Sequence, residues 1–257
     1  MSVDNRWFMP DGDLFIEKGE AHVWRGRLDR SQQFIQDIGG ALSDDERKRA
    51  ARFYFQKDRE RFIVGRGMLR AVLGRYLNIQ PAVLRFSYNQ YGKPFLIEGA
   101  VRHELRFNLS HSDEFALLGL TFEGEIGVDI ERVHALEEIK EIAGRFFSPA
   151  EAAALMSLPP DQQIEAFFNC WTLKEAFLKA RGEGLSGHLA EFDVAFIPGE
   201  RPALLRAGWD PEEARRWSLY SLEVVTGYRA ALAVRATRVT IKRLGWEERP
   251  QENSPPG

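Results

Sequence analysis

The sequence predicts an α+β fold built as two similar modules in tandem, related by a pseudo-twofold axis, and three observations predict it. First, 257 residues with 44% hydrophobic and 12% aromatic content suffice for one large core or two modest ones. Second, the order of elements repeats: each half offers an opening strand, helices that include one long aromatic-rich one, a short strand and a closing hairpin. Third, the last strands of the two hairpins begin alike, Phe115-Ala116-Leu117-Leu118 against Tyr228-Arg229-Ala230-Ala231-Leu232. The expected division is 1–124, 125–246 and a disordered tail at 247–257 that is rich in proline and charge. Two paired modules would leave a cleft at their seam, which is where a site is expected.

Met1 to Asp13 reads as a loose start, and Leu14 to Leu28 as extended chain with a turn at Gly19. Ser31 to Leu42 is a short amphipathic helix ending near Gly39-Gly40. Ser43-Asp44-Asp45-Glu46 has the form of a capping box, serine at the cap and glutamate three residues on. The apolar positions from Phe53 to Leu73 then suit two consecutive helices, stopped by Asn78 and Pro81. Leu84 to Tyr88 is a strand, followed by a turn-rich run, Asn89 to Pro94. Strands follow at Leu105–Leu109 and Phe115–Thr121, joined by Ser110 to Glu114, and another at Ile126–Val133.

In the second half, Glu137–Phe147 and Ser148–Leu158 read as helices, the latter opened by Ser148-Pro149-Ala150-Glu151 with proline in its first turn. Pro159-Pro160 interrupts. Gln162–Arg181 is a long helix closed by Gly182 and Gly184. Phe192–Ile197 and the hairpin Trp217–Val225 with Tyr228–Ala236 complete the ordered body.

Charge and composition narrow the function classes. No apolar run approaches the roughly 18 residues of a membrane span, and Met1 to Pro10 lacks the core of a signal peptide. A soluble cytoplasmic protein is expected. Cys170 is the single cysteine, which excludes an internal disulfide and a cysteine-built metal centre and leaves it as a small core residue. The net charge of −3 argues against nucleic-acid binding. Its distribution is uneven, however: Glu46 to Arg75 holds ten lysines or arginines against three acids. Such a stretch is either a solvated helix face or an attractor of phosphates or an acidic partner.

Three stretches could carry chemistry. On the long helix, Trp171-Thr172-Leu173-Lys174-Glu175-Ala176-Phe177-Leu178-Lys179 places Glu175 and Lys179 four apart, on one face. Their plain reading is a surface ion pair worth about 0.3–0.5 kcal/mol. Along Gly127-Val128-Asp129-Ile130-Glu131, alternation sends the two acids to one face, about 6.6 Å apart, with a mutual repulsion of roughly 2.5 kcal/mol at an effective dielectric near 20. A polar outer strand face explains them, and so does a cation that they share. With Glu175 added they would form an all-oxygen site suited to Mg2+ or Mn2+ rather than zinc. Asn108-Leu109-Ser110-His111-Ser112 lacks the nucleophile elbow of serine hydrolases and serves more naturally as phosphate donors. The remaining histidines, His22, His103, His134 and His188, show no metal spacing. The phosphate loop and the dinucleotide fingerprint are both missing.

Gly127-Val128-Asp129-Ile130-Glu131 and Trp171-Thr172-x-Lys174-Glu175-Ala176-x-x-Lys179, preceded by Phe107-Asn108-x-Ser110-His111-Ser112 and Tyr91-Gly92-Lys93-Pro94, resemble the surfactin-type 4′-phosphopantetheinyl transferases. The resemblance runs over roughly Ser43 to Gly187, and four motifs in order make it specific. It implies transfer of the phosphopantetheine arm of coenzyme A to a serine of an acidic apo carrier protein, releasing adenosine 3′,5′-bisphosphate. It further implies Asp129, Glu131 and Glu175 as ligands of Mg2+, with Glu175 also a candidate acceptor of the serine proton. Lys179 would neutralise the diphosphate, with Lys174 close by. Arg61, Ser110 and His111 would grip the 3′-phosphate and ribose, and Tyr91, Gly92, Lys93 and Pro94 would flank the adenine. The family's usual basic position at the start of the second helix falls on Glu46, so that contact is assigned to Arg49. Because the two halves can pair internally, a monomer is expected. The competing functions are a Mg2+-dependent hydrolase of coenzyme A or a related nucleotide, and a carrier-binding module without catalysis.

Overall fold

A computed structural model describes residues 6–97, 105–183 and 189–247. Its first eight elements are β1 (Glu20–Arg27), α1 (Gln32–Gly39), α2 (Asp44–Ala50), α3 (Gln56–Leu77), β2 (Phe86–Tyr88), β3 (Pro94–Leu96), β4 (Arg106–Ser112) and β5 (Phe115–Thr121). The order then repeats with β6 (Ile126–Arg132), α4 (Ile139–Phe146), α5 (Pro149–Ser157), α6 (Pro160–Arg181), β7 (Phe192–Ala195) and β8 (Ala203–Ala207). After a one-turn α7 (Glu213–Arg216) it closes with β9 (Ser218–Ser221) and β10 (Tyr228–Val234), and β11 (Thr240–Trp246) is added at the end. The fold is mixed α+β. The expected tail lies outside the described residues except for Glu247, as do Gly184, His103 and His188.

Two sheets organise the chain, one ordered β11-β1-β5-β4 and the other β6-β10-β9. Within each, the opening strand pairs antiparallel with the last of its run, which pairs antiparallel with the one before it. Side-chain alternation then fills three clusters. On β5, Ala116, Leu118 and Leu120 pack with Val64, Met68 and Leu69 of α3. On β10, Ala231 and Ala233 pack with Leu173 and Phe177 of α6. The opposite faces meet each other, Ala21, Val23 and Leu117 of the first sheet against Val128, Ile130, Ala230 and Leu232 of the second. Each long helix thus covers the outer side of one sheet.

Both capping boxes form: Glu46 accepts from the Ser43 amide and Glu151 from the Ser148 amide. Several expectations need correcting. The division at 124/125 assigns β11 to the second half, but β11 runs parallel along β1 from Glu20↔Thr240 to Gly26↔Trp246, inside the first sheet. The segment expected to join β4 and β5 is shorter than Ser110–Glu114, because β4 continues through Ser112. Asp113, at φ 46°, makes the turn in the left-handed region that aspartate tolerates. The short strands β3 and β8 and the edge strand β11 were not expected, and β7 stops at Ala195 rather than Ile197.

Candidate active site

The site lies where β4, the edge of one sheet, runs beside β6, the edge of the other. Here side chains do the joining. Asn108 Oδ1 accepts from the Val128 amide at 2.9 Å, and Ser110 Oγ donates to Asp129 Oδ1 at 3.0 Å. Ser112 Oγ donates to Glu131 Oε2 at 2.9 Å and accepts from the Arg132 amide at 3.1 Å. The period of two along Asn108-x-Ser110-x-Ser112 therefore reads, residue by residue, against Val128-Asp129-x-Glu131.

Helix α6 closes the site from the other side, and Gly127 sets how near it comes. A Cβ at Gly127 would stand 2.1 Å from the carbonyl oxygen of Ala176 and 2.4 Å from the amide of Ala180. Only a glycine lets the helix backbone lie directly on the strand, two residues before Asp129. That contact brings Lys179 Nζ to 2.5 Å from Asp129 Oδ1 and 2.9 Å from Ser110 Oγ. Lys179 therefore pairs with a strand rather than with Glu175 on its own helix.

Two carboxylate oxygens remain buried without a partner, Asp129 Oδ2 and Glu175 Oε1. Asp129 is 1% exposed and Glu175 6%. Burial lifts the Glu175 carboxyl to about 7, with Lys179 opposing and the charges of Asp129 and Glu131 adding to the rise. Glu131 is likewise raised, by burial and then by Asp129. Burial raises Asp129 as well, against the pull of Lys179. Among the described residues, no group of three or more His, Cys, Asp and Glu side chains converges into a metal cage. Asp129 is instead paired with Lys179. The donor chemistry nevertheless fits a hard divalent cation: three carboxylates, two orphaned buried oxygens, and proton affinities raised by burial first and, for Glu131 and Glu175, by acidic neighbours as well.

The remaining expected residues divide into two groups. His111 continues β4, and its imidazole is held below its ordinary pKa by desolvation, then by the charges of Lys179, Arg61 and Arg49. Arg61 is itself bound, with Nε 2.7 Å from Asp29 and Nη1 3.3 Å from Asp113. Arg49, over the ring of Phe62, lines a cavity of about 700 Å3 with Lys48, Arg52, Phe53, Tyr88 and Gly92. Tyr91 is exposed beside it. Pro94 begins β3.

Lys174 and Lys93 are placed differently from expectation. Lys174 is 0% exposed and points away from the carboxylates. Its ammonium donates to both oxygens of Glu151, at 2.8 and 2.6 Å, and to the Phe192 carbonyl at 2.6 Å, so it belongs to the core under α6. Lys93 turns inward, to the carbonyls of Ala180 at 3.0 Å and Ile126 at 3.3 Å. The basic stretch is also partly internal, since Arg66 and Arg70 both bind Glu46, at 2.5 and 2.6 Å. That buried use of Glu46 accounts for an acid where the family resemblance led one to expect a base. Gly127 and Ser112 stand inside the sequence motifs and Glu151 inside a capping box, but the sequence assigned none of them a role at the site. A glycine inside a strand pattern was the available signal for the first.

A seam of this kind can bind anionic oxygens and take up a proton near neutral pH, which is the work of phosphoryl transfer. The chain's relatives give that class its member. A family model described as the 4′-phosphopantetheinyl transferase superfamily matches residues 125–233, and one described as 4′-phosphopantetheinyl transferase, N-terminal, matches 29–121. The 4′-phosphopantetheinyl transferase HetI of Nostoc sp. is 40% identical over 232 residues, which are 90% of this chain and 94% of the relative. The 4′-phosphopantetheinyl transferase Sfp of Bacillus subtilis is 35% identical over 164 residues, 64% of this chain and 70% of the relative. An L-aminoadipate-semialdehyde dehydrogenase-phosphopantetheinyl transferase of Mus musculus is 27% identical over 208 residues, 76% of this chain and 67% of the relative. The chain belongs to the 4′-phosphopantetheinyl transferase family, of the Sfp type. It is an enzyme that transfers the phosphopantetheine group to carrier proteins.

Proposed function

We propose that this chain takes the 4′-phosphopantetheine arm from coenzyme A and places it on a serine hydroxyl of an acidic apo carrier protein, with Mg2+ held by Asp129, Glu131 and Glu175. The observation that carries this reading is the pair of buried, unpartnered oxygens on Asp129 and Glu175 beside the Lys179 ammonium. When bound, the cation would supply charge neutralisation at the diphosphate oxygens.

The chain's own residues do the rest. Glu175, on the face of α6 that meets Asp129, accepts the proton of the carrier serine as its oxygen attacks the phosphorus next to the pantetheine. The bond from that phosphorus to the adenylate oxygen breaks, and adenosine 3′,5′-bisphosphate leaves. Lys179, one turn beyond Glu175, compensates charge on the diphosphate. Arg49 and the cavity it lines receive the adenosine end, and His111 and Arg61 lie toward its 3′-phosphate. His111, an exposed residue of β4, would act there as a hydrogen-bond donor. Mn2+ offers similar oxygen chemistry and is expected to substitute.

We read the two halves, whose main sheets have three strands each once β11 is set aside, as tandem copies about a pseudo-twofold axis, which the repeated element order and pairing support. A monomer then suffices to build the seam. Among the described residues no helix is long and apolar enough to cross a membrane, which accords with a cytoplasmic enzyme.

The test incubates apo carrier protein, coenzyme A and Mg2+ with the wild type and with Glu175→Gln, and weighs the carrier by mass spectrometry. Wild type should add one phosphopantetheine per carrier, and chelation of the metal should stop it. Glu175→Gln should lose labelling by at least about a hundredfold, the scale of a removed general base. Cleavage of coenzyme A without carrier labelling would favour a hydrolase, and near-normal labelling by the variant would remove Glu175 from the reaction.

A further inference from the structure

The turn 89–94 reaches across to the end of α6, which neither its glycine nor its proline explains. Asn89 Oδ1 accepts from the amides of Tyr91 and Lys93, both at 2.9 Å, and the Gly92 amide donates to the Asn89 carbonyl at 2.9 Å. The turn is thus fixed from within, with Gly92 at φ 82°. From it, Asn89 Nδ2 donates to the carbonyl of Gly182 at 2.7 Å, and Lys93 Nζ donates to that of Ala180 at 3.0 Å. Those carbonyls belong to the last turn of a helix, where acceptors lack intrahelical partners and a cation is favoured. The same ammonium donates to the carbonyl of Ile126, the first residue of β6, at 3.3 Å.

We propose that Lys93 is a positioning residue for the transfer: from the turn 89–94 it ties the start of β6 to the last turn of α6. These are the two elements that carry Asp129, Glu131, Glu175 and Lys179. Ala180 is the next residue after Lys179, and Ile126 adjoins the Gly127 contact on which the helix rests, so the tie acts at both edges of that contact. Two features support a role inside the protein rather than on a ligand. The ammonium has carbonyls as its hydrogen-bond partners, and burial, with Glu125 opposing and Arg106 adding a smaller effect, takes it down to about 8. Asn89 backs it with a second, uncharged bond to the same helix end.

The inference rests on the reading that β6 and α6 bear the reacting groups, and it separates from a direct contact to the nucleotide by kinetics. Lys93→Met keeps the length of the stem and removes the donors. Its expected signature is a kcat for carrier labelling lowered about ten- to a hundredfold, the effect of a small misplacement of catalytic groups. The Kd for coenzyme A, measured by calorimetry, should stay within about twofold of wild type, since the partners of the ammonium are carbonyls of the protein and not the ligand. Lys93→Arg, which restores donors and charge, should recover part of kcat. Asn89→Ala should show the same kcat-only loss and serves if Lys93→Met does not fold. A Kd for coenzyme A raised tenfold or more with kcat intact would overturn the proposal in favour of a nucleotide contact, and so would wild-type behaviour of both variants. Glu175→Gln is run beside them: if it retains turnover, the underlying reading of the site fails, whereas an inactive Glu175→Gln with unaffected Lys93 and Asn89 variants defeats the positioning role alone.

Discussion

Glu175 shows how far a single residue could be read without coordinates. Its four-residue spacing from Lys179 was legible, and so was its membership of one helix face. What that spacing could not give is the direction of Lys179, which goes to Asp129 across the seam and leaves a Glu175 oxygen without a partner. Burial then sets the chemistry. A glutamate ordinarily titrates near 4.5, and this one near 7, so the folded state binds the proton more tightly than the unfolded chain. The stability contributed by the neutral carboxyl is complete below about 4.5 and is lost as pH rises through about 7. Glu131 and Asp129 are raised too, so the three titrate as a set and the loss is broad. Glu175→Gln removes one buried charge from that set. In the absence of divalent cation the variant should be more stable than wild type at pH 8, by about 1–3 kcal/mol, and no more stable near pH 4. Urea unfolding at the two pH values measures this; an equal or lower stability at pH 8 would show that the wild-type carboxylate carries no such strain.

At the scale of elements, both capping boxes were legible because serine and glutamate three apart satisfy local amides. Their second use was not, because it depends on residues twenty to twenty-four positions further on. Glu46 receives Arg66 and Arg70 from α3, and Glu151 receives Lys174 from α6. Counted from the starts of their 22-residue helices at Gln56 and Pro160, Arg70 and Lys174 hold the same place, and both helices end on a left-handed residue, Asn78 and Gly182. The two halves thus secure their long helices by one device, a buried glutamate from the preceding capped helix. Lys174 belongs to that device, although its neighbour Glu175 drew it toward the site on paper. Lys174→Met strands a carboxylate that also caps α5 and accepts from the Val194 amide. The loss should be about 3–5 kcal/mol, with the Kd for coenzyme A unchanged. Adding Glu151→Gln should cost less than the sum of the two changes, and a double-mutant cycle in urea decides it.

At the scale of the molecule, the repeat of element order was readable from sequence, whereas the fate of each half was not. On the tandem reading, Trp24 of β1 stands where Asp129 stands in β6: the first pairs with Leu118 of β5 and the second with Ala231 of β10. Arg75 likewise corresponds to Lys179, twenty residues into its helix in both cases. Lys179 lies on the Asp129 carboxylate, and the Arg75 guanidinium lies over the Trp24 ring at 5.6 Å. The outer edges differ as well. That of β6 faces β4 through polar side chains and stays open to chemistry, while that of β1 is sealed by β11 along its length. This sealing strand could not be anticipated, since its partner is some 220 residues earlier and its pattern, Thr-Ile-Lys-Arg-Leu-Gly-Trp, is half polar. An apolar ring occupies the position that Asp129 has in the second half, so on the proposed reading only one of the two related places would hold the phosphates. Calorimetric titration with coenzyme A and Mg2+ should therefore give one site per chain. Trp24→Ala should lower stability by about 3–5 kcal/mol through its cavity, leaving that stoichiometry and affinity as they were. A second equivalent of coenzyme A, or an affinity that falls with Trp24, would mean that the first half has kept a site of its own.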